Sequence, residues 1–401
     1  MTMRFPPQDR RSRGMRDLLP PGMRAFRRVE DAFRSASSRW GYEEIRTPTI
    51  ENYSLVTASG TLTPQMLSRV YSFLDWDGWS GERVVLRPDS TIPVSRAAAE
   101  AGLLPPSRLF YVQNVFRFHE SDDREEWQCG IEYLGAPPLL GDLEVVAVGC
   151  ETLEGLGLHP LVRIGHVGVS RAVVHAISNS EQDRRALLDR VTQSGLRALQ
   201  ESAAHLPGLA TFVEAAVLES PGVGLVHNLQ GLATGVLPAV LPVLQEAAGV
   251  AGALAATGRR VVLDFGMARD FEYYTGVVFE LDTEHASWGR GGRYAPQGAS
   301  ATTEACGLGL SLDQLAAHAG PSTRRRQSVS IVPVDPQDLT LAMAAARALH
   351  RGGIAAALAT ARDAGELSLR IEGTKLTAHT PDGDIHVKSL DEVVGILVQY
   401  K

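Results

Sequence analysis

The sequence predicts an α+β fold, with a mostly antiparallel sheet flanked by helices, a helical insertion and a small C-terminal α/β domain. Strand-like stretches at 108–118 and 128–134 follow each other closely, which favours antiparallel pairing over repeated βαβ units. Residues 171–258 are rich in Ala, Leu, Glu and Gln, as expected for inserted helices. At 401 residues the chain is long for one compact core, so more than one domain is expected.

The first elements are read from apolar spacing. Between Met23 and Trp40 apolar side chains recur at steps of three and four residues, which predicts a helix with one buried face. A strand ending at Thr47-Pro48 and a short strand at 84–87 follow. Asp89-Ser90-Thr91 then predicts the start of a helix that runs through 97–99, because Asp and Ser favour helix N-termini.

Strand signals return after the insertion. They lie at 261–263 and 276–279, and the segment 307–311 leads into a helix. These stretches complete a predicted core domain of residues 1–320.

The C-terminal part is predicted as a separate domain of residues 328–401. The polar, charged segment 321–327 is the predicted linker. Strands are expected at 329–334 and 354–358, and helices at 339–350 and 391–399.

Composition restricts the function classes. The chain has 39 Lys and Arg against 46 Asp and Glu, so its net charge of −7 offers no attraction for nucleic acid or an acidic membrane. The three cysteines, Cys129, Cys150 and Cys306, form no C-x-x-C pair, which is typical of a reduced cytoplasmic protein. The basic N-terminus has no apolar stretch behind it, and no run approaches the roughly 18 apolar residues of a membrane span, so neither a secretory signal nor membrane insertion is expected.

Two adjacent strands carry the candidate site. Side chains alternate between faces, so Tyr111, Gln113, Val115 and Arg117 share one face of the first strand. On the second strand Gln128, Gly130 and Glu132 share a face, and Gly130 is expected to leave a space between an amide and a carboxylate. Such a pair suits a small zwitterion, because an ammonium or an imidazole N–H needs oxygen acceptors.

Structural explanations compete with this interpretation. The polar face could be solvent-exposed, Asp89 could serve as a helix cap, and Tyr273-Tyr274 could pack as ordinary strand residues. Arg269 could form a surface ion pair with its neighbour Asp270. The scattered His159, His166 and His175 do not predict a metal site, and neither a metal nor a cofactor is expected.

Several segments in order resemble the signatures of histidyl-tRNA synthetases, over residues 14 to about 315. They are Gly14-Met-Arg-Asp-Leu-Leu-Pro-Pro21, Gly41-Tyr-Glu-Glu-Ile-Arg-Thr-Pro48, Leu86-Arg-Pro-Asp-Ser-Thr91, Val115-Phe-Arg117, Gln128-Cys-Gly-Ile-Glu132, Tyr273-Tyr-Thr-Gly276 and Gly291-Gly-Arg-Tyr294. The resemblance implies the class II synthetase fold, with a C-terminal domain related to an anticodon-binding domain.

The resemblance also implies a histidine pocket. In that family Asp89, Thr91 and Gln128 would hold the α-amine, and Glu132 and Tyr274 would read the imidazole. Tyr273 and Arg117 belong to the same implied pocket. Arg269 matches a position near the substrate carboxylate, although Asp-Phe-Glu272 follows it where the family has Gly-Leu-Asp.

The departures from the family lie where ATP and tRNA would bind. Where synthetases have Gly-x-Glu-Arg, this sequence has Ser311-Leu-Asp-Gln314, and a neutral amide cannot make the charge-assisted contact that a phosphate requires. The loop after Arg117 lacks the Pro-Gln-x-Gly-Arg run and carries the acidic residues Glu120, Asp122, Asp123, Glu125 and Glu126. Residues 327–401 hold seven Lys and Arg against nine Asp and Glu, so tRNA binding is not expected.

A synthetase-like chain with these departures resembles the regulatory subunit of ATP phosphoribosyltransferase, a paralogue that acts in histidine biosynthesis. The resemblance implies a subunit with no catalysis of its own, whose homodimeric core joins a short catalytic subunit in a hetero-oligomer and takes part in feedback inhibition by histidine. Two alternatives remain open. One is an active or orphan histidine–tRNA-ligase-like enzyme that activates an amino acid with ATP, and the other is a stand-alone histidine-binding module.

Overall fold

The computed structural model describes residues 12–58, 67–76, 78–79, 81–118, 123–221, 224–267, 273–284, 286–296, 304–320 and 328–400. The chain forms two compact units, Met1–Pro321 and Ser322–Lys401. The predicted linker 321–327 and the candidate Arg269 lie outside the described residues.

The described residues form seventeen strands and thirteen α-helices. The described strands are β1 Glu43–Glu44, β2 Ile50–Asn52, β3 Ser72–Trp76, β4 Gly81–Leu86, β5 Ser107–Phe116, β6 Glu125–Leu134, β7 Leu161–His166, β8 Ser220–Pro221, β9 Arg260–Leu263, β10 Tyr274–Asp282, β11 Ser287–Tyr294, β12 Ala305–Ser311, β13 Val329–Pro333, β14 Ala356–Leu358, β15 Ser368–Glu372, β16 Lys375–Thr380 and β17 Gly383–Val387. The described helices are α1 Pro20–Arg39, α2 Tyr53–Ala58, α3 Thr91–Glu100, α4 Leu140–Gly155, α5 Val167–Ile177, α6 Glu181–Ser194, α7 Gln200–Ala203, α8 Pro207–Ala216, α9 Gly224–Ala233, α10 Leu241–Ala256, α11 Leu312–Ala319, α12 Leu339–Arg351 and α13 Leu390–Leu397.

A large sheet organises the first unit. Its strand order is β1-β5-β6-β12-β11-β10-β7-β9-β8. The pairs β1–β5 and β7–β9 are parallel, and the remaining described pairs of this sheet are antiparallel. The predicted antiparallel sheet is therefore confirmed, including the β5–β6 pair, which runs in register from Ser107↔Leu134 to Phe116↔Glu125.

Helices α1 and α4 cover one face of this sheet. The predicted periodicity of α1 is confirmed, because Phe26, Val29 and Phe33 are all buried. The ring of Phe33 meets Phe110 of β5 edge-on at 5.9 Å between centroids. These contacts anchor the strands that carry the candidate site on their opposite face.

The predicted strand ending at Thr47-Pro48 is shorter than expected. The strand stops at Glu44, and the Thr47 and Pro48 carbonyls instead accept hydrogen bonds from the buried Arg87 guanidinium at 2.9 and 2.7 Å. The guanidinium also donates to Asn114 of β5 and to the Thr47 hydroxyl. Arg87 thus satisfies backbone carbonyls that the sheet leaves unpaired.

The predicted helical insertion corresponds to α5 through α10, interrupted by the short strand β8. The expectation that no run approaches a membrane span was wrong for residues 238–256, which are long and apolar enough by length and composition. In this structure Leu244, Val250 and Leu254 of α10 belong to the main core. A long apolar helix of this kind also occurs in the core of a soluble fold.

A second, three-stranded sheet of order β2-β4-β3 lies in the first unit. Val85 of this sheet forms a small core with Val56 of α2, Ile92 of α3 and partly buried neighbours. Strand β3 is at the edge of this sheet, and all five of its residues are exposed.

The C-terminal unit is a five-stranded sheet of order β14-β13-β15-β16-β17 with helices α12 and α13. Its core joins Ile331, Leu369 and Ile371 of the sheet to Leu349 and Val393 of the helices. Sequence analysis missed the antiparallel β15–β17 segment. The alternation Leu369-Arg370-Ile371 was the available signal.

Candidate functional site

A cavity of about 1020 Å³ lies against the open face of the large sheet in the first unit. Strands β5, β6, β10, β11 and β12 and the start of α3 line it. The described candidates that reach it are Asp89, Thr91, Arg117, Gln128, Glu132, Tyr273 and Tyr274. The sheet therefore brings into one cavity residues that are far apart in the chain.

Glu132 is the buried carboxylate of the cavity. It lies on β6 with 1% of its surface exposed, and its Oε2 accepts a hydrogen bond from the hydroxyl of Tyr294 at 2.7 Å. Burial raises the pKa of Glu132 to about 8, and the nearby charge of Asp89 also raises it, while hydrogen bonds from Tyr294, Thr91 and Tyr111 oppose the shift. The predicted site face is thus enclosed and not solvent-exposed.

Two glycines give this carboxylate and its neighbours their room. A Cβ on Gly307 of β12, which pairs with Glu132, would lie 2.2 Å from Glu132 Oε2. The prediction that Gly130 leaves an empty space was wrong, because the Tyr111 hydroxyl lies 2.3 Å from where a Gly130 Cβ would be. An aromatic side chain from β5 fills the space that alternation on β6 alone suggested.

Tyrosines enclose the carboxylate. The rings of Tyr273 and Tyr294 stack at 5.2 Å with an interplanar angle of 13°, and Tyr274 meets Tyr273 edge-on at 4.9 Å. Burial holds the pKa of the Tyr111, Tyr273 and Tyr294 hydroxyls well above the usual value, so they remain neutral donors. Sequence reasoning assigned no role to Tyr111 or Tyr294, although Tyr294 closes the Gly291-Gly-Arg-Tyr294 segment.

The remaining candidates occupy the rim. Asp89 fits both the helix-cap and the ligand-binding interpretation. Its Oδ1 accepts a hydrogen bond from the Ile92 backbone N–H at 3.0 Å, as a cap does, and the residue also lines the cavity. Arg117 is held in place by a bond from Nε to the Pro88 carbonyl at 2.8 Å and by Glu126 at 3.3 Å. Gln128 lies opposite Gln113 on β5 and Ser311 on β12.

The cavity as a whole is lined by many charged side chains. Its described lining holds eight Asp and Glu against four Arg, a formal charge of −4. Arg163 pairs with Glu219 at 2.7 Å, Asp282 at 3.0 Å and Asp264 at 3.3 Å. Gln314 also lines this part and contributes no charge. The lining therefore opposes the entry of a polyphosphate.

Other charged motif residues are structural. Arg16 of the Gly14 segment pairs with Asp313 of α11 and, at 3.0 Å, with Asp123. The Arg293 guanidinium, 1% exposed, binds Asp142 at 2.8 Å and the Ala136 and Pro137 carbonyls. These residues fasten the N-terminal segment and α4 to the sheet that forms the site.

Of the acidic residues in the loop after Arg117, Glu120 and Asp122 lie outside the described residues. Asp123 and Glu126 are paired with arginines, and Glu125 accepts a bond from Asn114. Within the described parts of the chain, no group of three or more His, Cys, Asp or Glu could hold a metal ion. The three cysteines are buried and unlinked.

The histidyl-tRNA synthetase family model matches residues 14–315, which is most of the chain and includes every strand that forms the cavity. The chain belongs to the histidyl-tRNA synthetase family. Within this family it is similar to ATP phosphoribosyltransferase regulatory subunits. The protein of that name from Dehalococcoides mccartyi is 39% identical over 71% of this chain and 70% of its own length.

Members named as ligases are also similar. Histidine--tRNA ligase from Methanosphaerula palustris is 30% identical over 94% of this chain and 90% of its own length. The family thus contains proteins named as regulatory subunits and proteins named as ligases. The residues of the site are therefore the basis for choosing between these two functions.

Solved structures of the family share the fold. A Bacillus halodurans protein described as an ATP phosphoribosyltransferase regulatory subunit/histidyl-tRNA synthetase has a TM-score of 0.75 and 26% identity, covering 90% of this chain and 94% of its own. Histidyl-tRNA synthetase from Nostoc has a TM-score of 0.77 at 17% identity, covering 98% and 99%. The predicted α+β class II synthetase-like fold is confirmed.

Proposed function

We propose that this chain is a regulatory subunit of ATP phosphoribosyltransferase, without catalysis of its own, whose cavity binds histidine as a feedback signal. It would act in the cytoplasm as a homodimeric core that assembles with a short catalytic subunit. Activity of that catalytic subunit would depend on the complex, and histidine would reduce it.

The sheet side of the cavity suits histidine. Glu132 is a buried acceptor for an imidazole N–H, and Asp89 with Gln128 offers oxygen acceptors for the α-ammonium. The tyrosines around Glu132 give the flat imidazole ring an aromatic enclosure. Arg269 would meet the carboxylate by resemblance to the family.

The observation that carries the proposal is the contrast between this pocket and the adjoining part of the cavity. In the family's pattern an arginine clamps the nucleotide triphosphate where this chain has Gln314. The described lining of the whole cavity has a formal charge of −4, and without Asp89 and Glu132 of the proposed histidine pocket it is still −2. A ligand pocket next to a lining that repels polyphosphate supports a sensor more than the amino-acid half of an ATP-using active site.

Feedback requires that histidine distinguish two states of the assembly. A ligand shifts an equilibrium only by the difference between its affinities for the two states. Histidine bound at Glu132 would therefore have to favour an assembly state in which the catalytic subunit is less active.

Mixing the full chain with a short-form catalytic subunit tests the proposal. Formation of phosphoribosyl-ATP should rise on mixing and fall when L-histidine is added, and calorimetry should detect L-histidine binding to the chain. The proposal fails if no complex forms and activity is unchanged. Histidine binding alone would then leave a stand-alone histidine-binding module.

A second candidate is a histidine–tRNA-ligase-like enzyme, favoured by the match to the Methanosphaerula palustris ligase over 94% of this chain. Such an enzyme would catalyse histidine-dependent exchange of pyrophosphate into ATP. That exchange, measured with the purified chain, would establish this candidate and exclude the proposed role.

A further inference from the structure

Helix α5, the first helix of the insertion, carries an arginine that reaches the wall of the cavity. Val169, Val173 and Val174 of this helix are buried in the main core. Arg171 lies on the same helix, and its Nη2 donates a hydrogen bond to the Tyr274 carbonyl at 2.9 Å. Tyr274 is the first residue of β10 and lines the cavity. The insertion is therefore bonded directly to a residue of the candidate site.

The pairing of β10 with β11 does not by itself fix the position of Tyr274. The two strands pair at Tyr274↔Tyr294 and next at Val278↔Gly292, so three residues of β10 lie opposite one residue of β11. Such a bulge interrupts the ladder of backbone hydrogen bonds and bends the strand. The bond from Arg171 gives the Tyr274 carbonyl a donor that does not belong to the ladder.

Arg171 makes this contact from a half-buried position. Burial lowers the pKa of its guanidinium, which shows that the group is partly withdrawn from water. A bond from a charged donor is roughly twice as strong as one between neutral groups, and it gains further where water competes less. The contact is therefore strong enough to hold the irregular start of β10.

The Tyr274 ring connects this bond to the ligand pocket. It meets Tyr273 edge-on at 4.9 Å, and Tyr273 stacks on Tyr294 at 5.2 Å. The Tyr294 hydroxyl in turn donates to Glu132 at 2.7 Å. A displacement of the Tyr274 backbone would therefore move the aromatic wall beside Glu132.

The start of α5 is tied to the same strand and to the last helix of the insertion. His166 of β7 pairs with Val277 of β10. Its Nδ1 accepts a hydrogen bond from the Gly168 N–H at 2.9 Å, so its Nε2 carries the proton and lies 3.4 Å from the Glu246 carboxylate of α10. Both ends of the insertion thus meet next to the strand that begins at Tyr274.

We propose that Arg171 is a positioning residue of the ligand pocket: through the Tyr274 carbonyl it sets the place of the tyrosine wall, so that the packing of α5 controls the affinity for L-histidine. The inference rests on the proposed histidine site. Because coupling between two sites is reciprocal, a ligand held by this wall also stabilises the bonded position of α5.

Matched variants of two arginines test the proposal by calorimetry with L-histidine. Arg171→Met keeps the apolar stem but has no donor, and it should weaken binding by about tenfold, whereas Arg171→Lys keeps a charged donor and should lose less than about threefold. Arg190→Met is the control. Arg190 of α6 also donates to a backbone carbonyl, that of Ala198, and is not among the described residues that line the cavity. It should leave the affinity unchanged.

The route through Tyr274 is tested by a double-mutant cycle. In the Tyr274→Ala background, Arg171→Met should weaken binding by less than about threefold, because the ring that it positions is absent. Thermal unfolding monitors folding, and Arg171→Gln, which is too short to reach the carbonyl, replaces Arg171→Met if that variant does not fold.

The outcomes separate this inference from the proposed function. A wild-type chain that does not bind L-histidine would refute both. If the wild type binds, this inference alone is refuted by an unchanged affinity of the Arg171 variants, by an equal loss in Arg190→Met, by a loss in Arg171→Lys as large as in Arg171→Met, or by additive effects in the cycle.

Discussion

Glu132 is the residue on which the proposed ligand site depends most. It is a buried carboxylate that three hydroxyl groups approach, and its pKa of about 8 lies well above the ordinary value of 4.5. Desolvation outweighs the hydrogen bonds from Tyr294, Thr91 and Tyr111, and the charge of Asp89 adds to it. A ligand that donates an N–H to Glu132 would relieve this unfavourable burial.

Replacing Glu132 tests the ligand contact. We expect Glu132→Gln to weaken L-histidine binding by about 1–3 kcal/mol, roughly 5- to 150-fold, because the amide keeps the shape but cannot ionise when an imidazole N–H is bound. Titration calorimetry at constant pH measures the affinity. An unchanged affinity would show that the imidazole is read elsewhere in the cavity.

The same residue should make stability depend on pH. Between pH 4.5 and about 8 the folded protein keeps the Glu132 proton that the unfolded chain has released, so the folded state binds more protons. Relative to Glu132→Gln, the free energy of unfolding of the wild type should therefore fall as pH rises through this window. The slope is at most about 1.4 kcal/mol per pH unit. Urea unfolding of both proteins from pH 5 to pH 8 measures it, and parallel curves would contradict the raised pKa.

Strand β12 supports the site by the side chains it lacks. Gly307 lies against Glu132, whereas Gly309, two residues along the same strand, has no heavy atom within 4 Å of its ideal Cβ position. Both glycines line the cavity. One position therefore has no room for a methyl group, and the other has ample room.

These two glycines form a matched pair for mutation. Gly307→Ala should displace the Glu132 carboxylate and weaken L-histidine binding by about tenfold or more, whereas Gly309→Ala should change the affinity by less than about threefold. In the Glu132→Gln background the effect of Gly307→Ala should shrink, since the two residues act through one contact. Equal effects of the two alanines on affinity, with thermal unfolding as the folding control, would contradict this account.

At the scale of the whole molecule, the acidic lining of the cavity is assembled from many parts of the chain. The eight carboxylates of the lining come from strands β6 and β10 and from residues next to α3, β8, β9 and β10, so no single motif carries the whole charge. In addition, Gln314 near the start of α11 stands where the family has the arginine that clamps the nucleotide triphosphate. Nucleotide binding is thus disfavoured by the assembled lining more than by one substitution.

Ligand-dependent unfolding tests this separation. L-Histidine at 100 times its dissociation constant should stabilise the chain by about 2.7 kcal/mol, whereas ATP with magnesium at millimolar concentration should leave the unfolding midpoint unchanged. Gln314→Arg alone should not create ATP binding, because the other acidic side chains remain. A clear ATP-dependent rise in the midpoint of the wild type would contradict the sensor proposal.

Much of this protein follows from local sequence. Apolar periodicity predicted α1, the Asp89-Ser90-Thr91 start predicted α3, and alternation predicted which side chains of β5 and β6 share a face. The motif order predicted the fold and seven side chains that the structure describes as lining one cavity. These features depend on spacing along the chain, which a sequence contains directly.

Other features were decided only by tertiary structure. Alternation on β6 predicted a space beside Gly130, but Tyr111 fills it from the neighbouring strand. The Tyr294 hydroxyl and the side-chain-free Gly307 lie against Glu132 because β12 inserts between β11, its neighbour in sequence, and β6, which is far away in the chain. Sequence alone thus determined which side chains share a face of each strand. Only the sheet order decided which of them meet, because contacts between strands are set by long-range pairing.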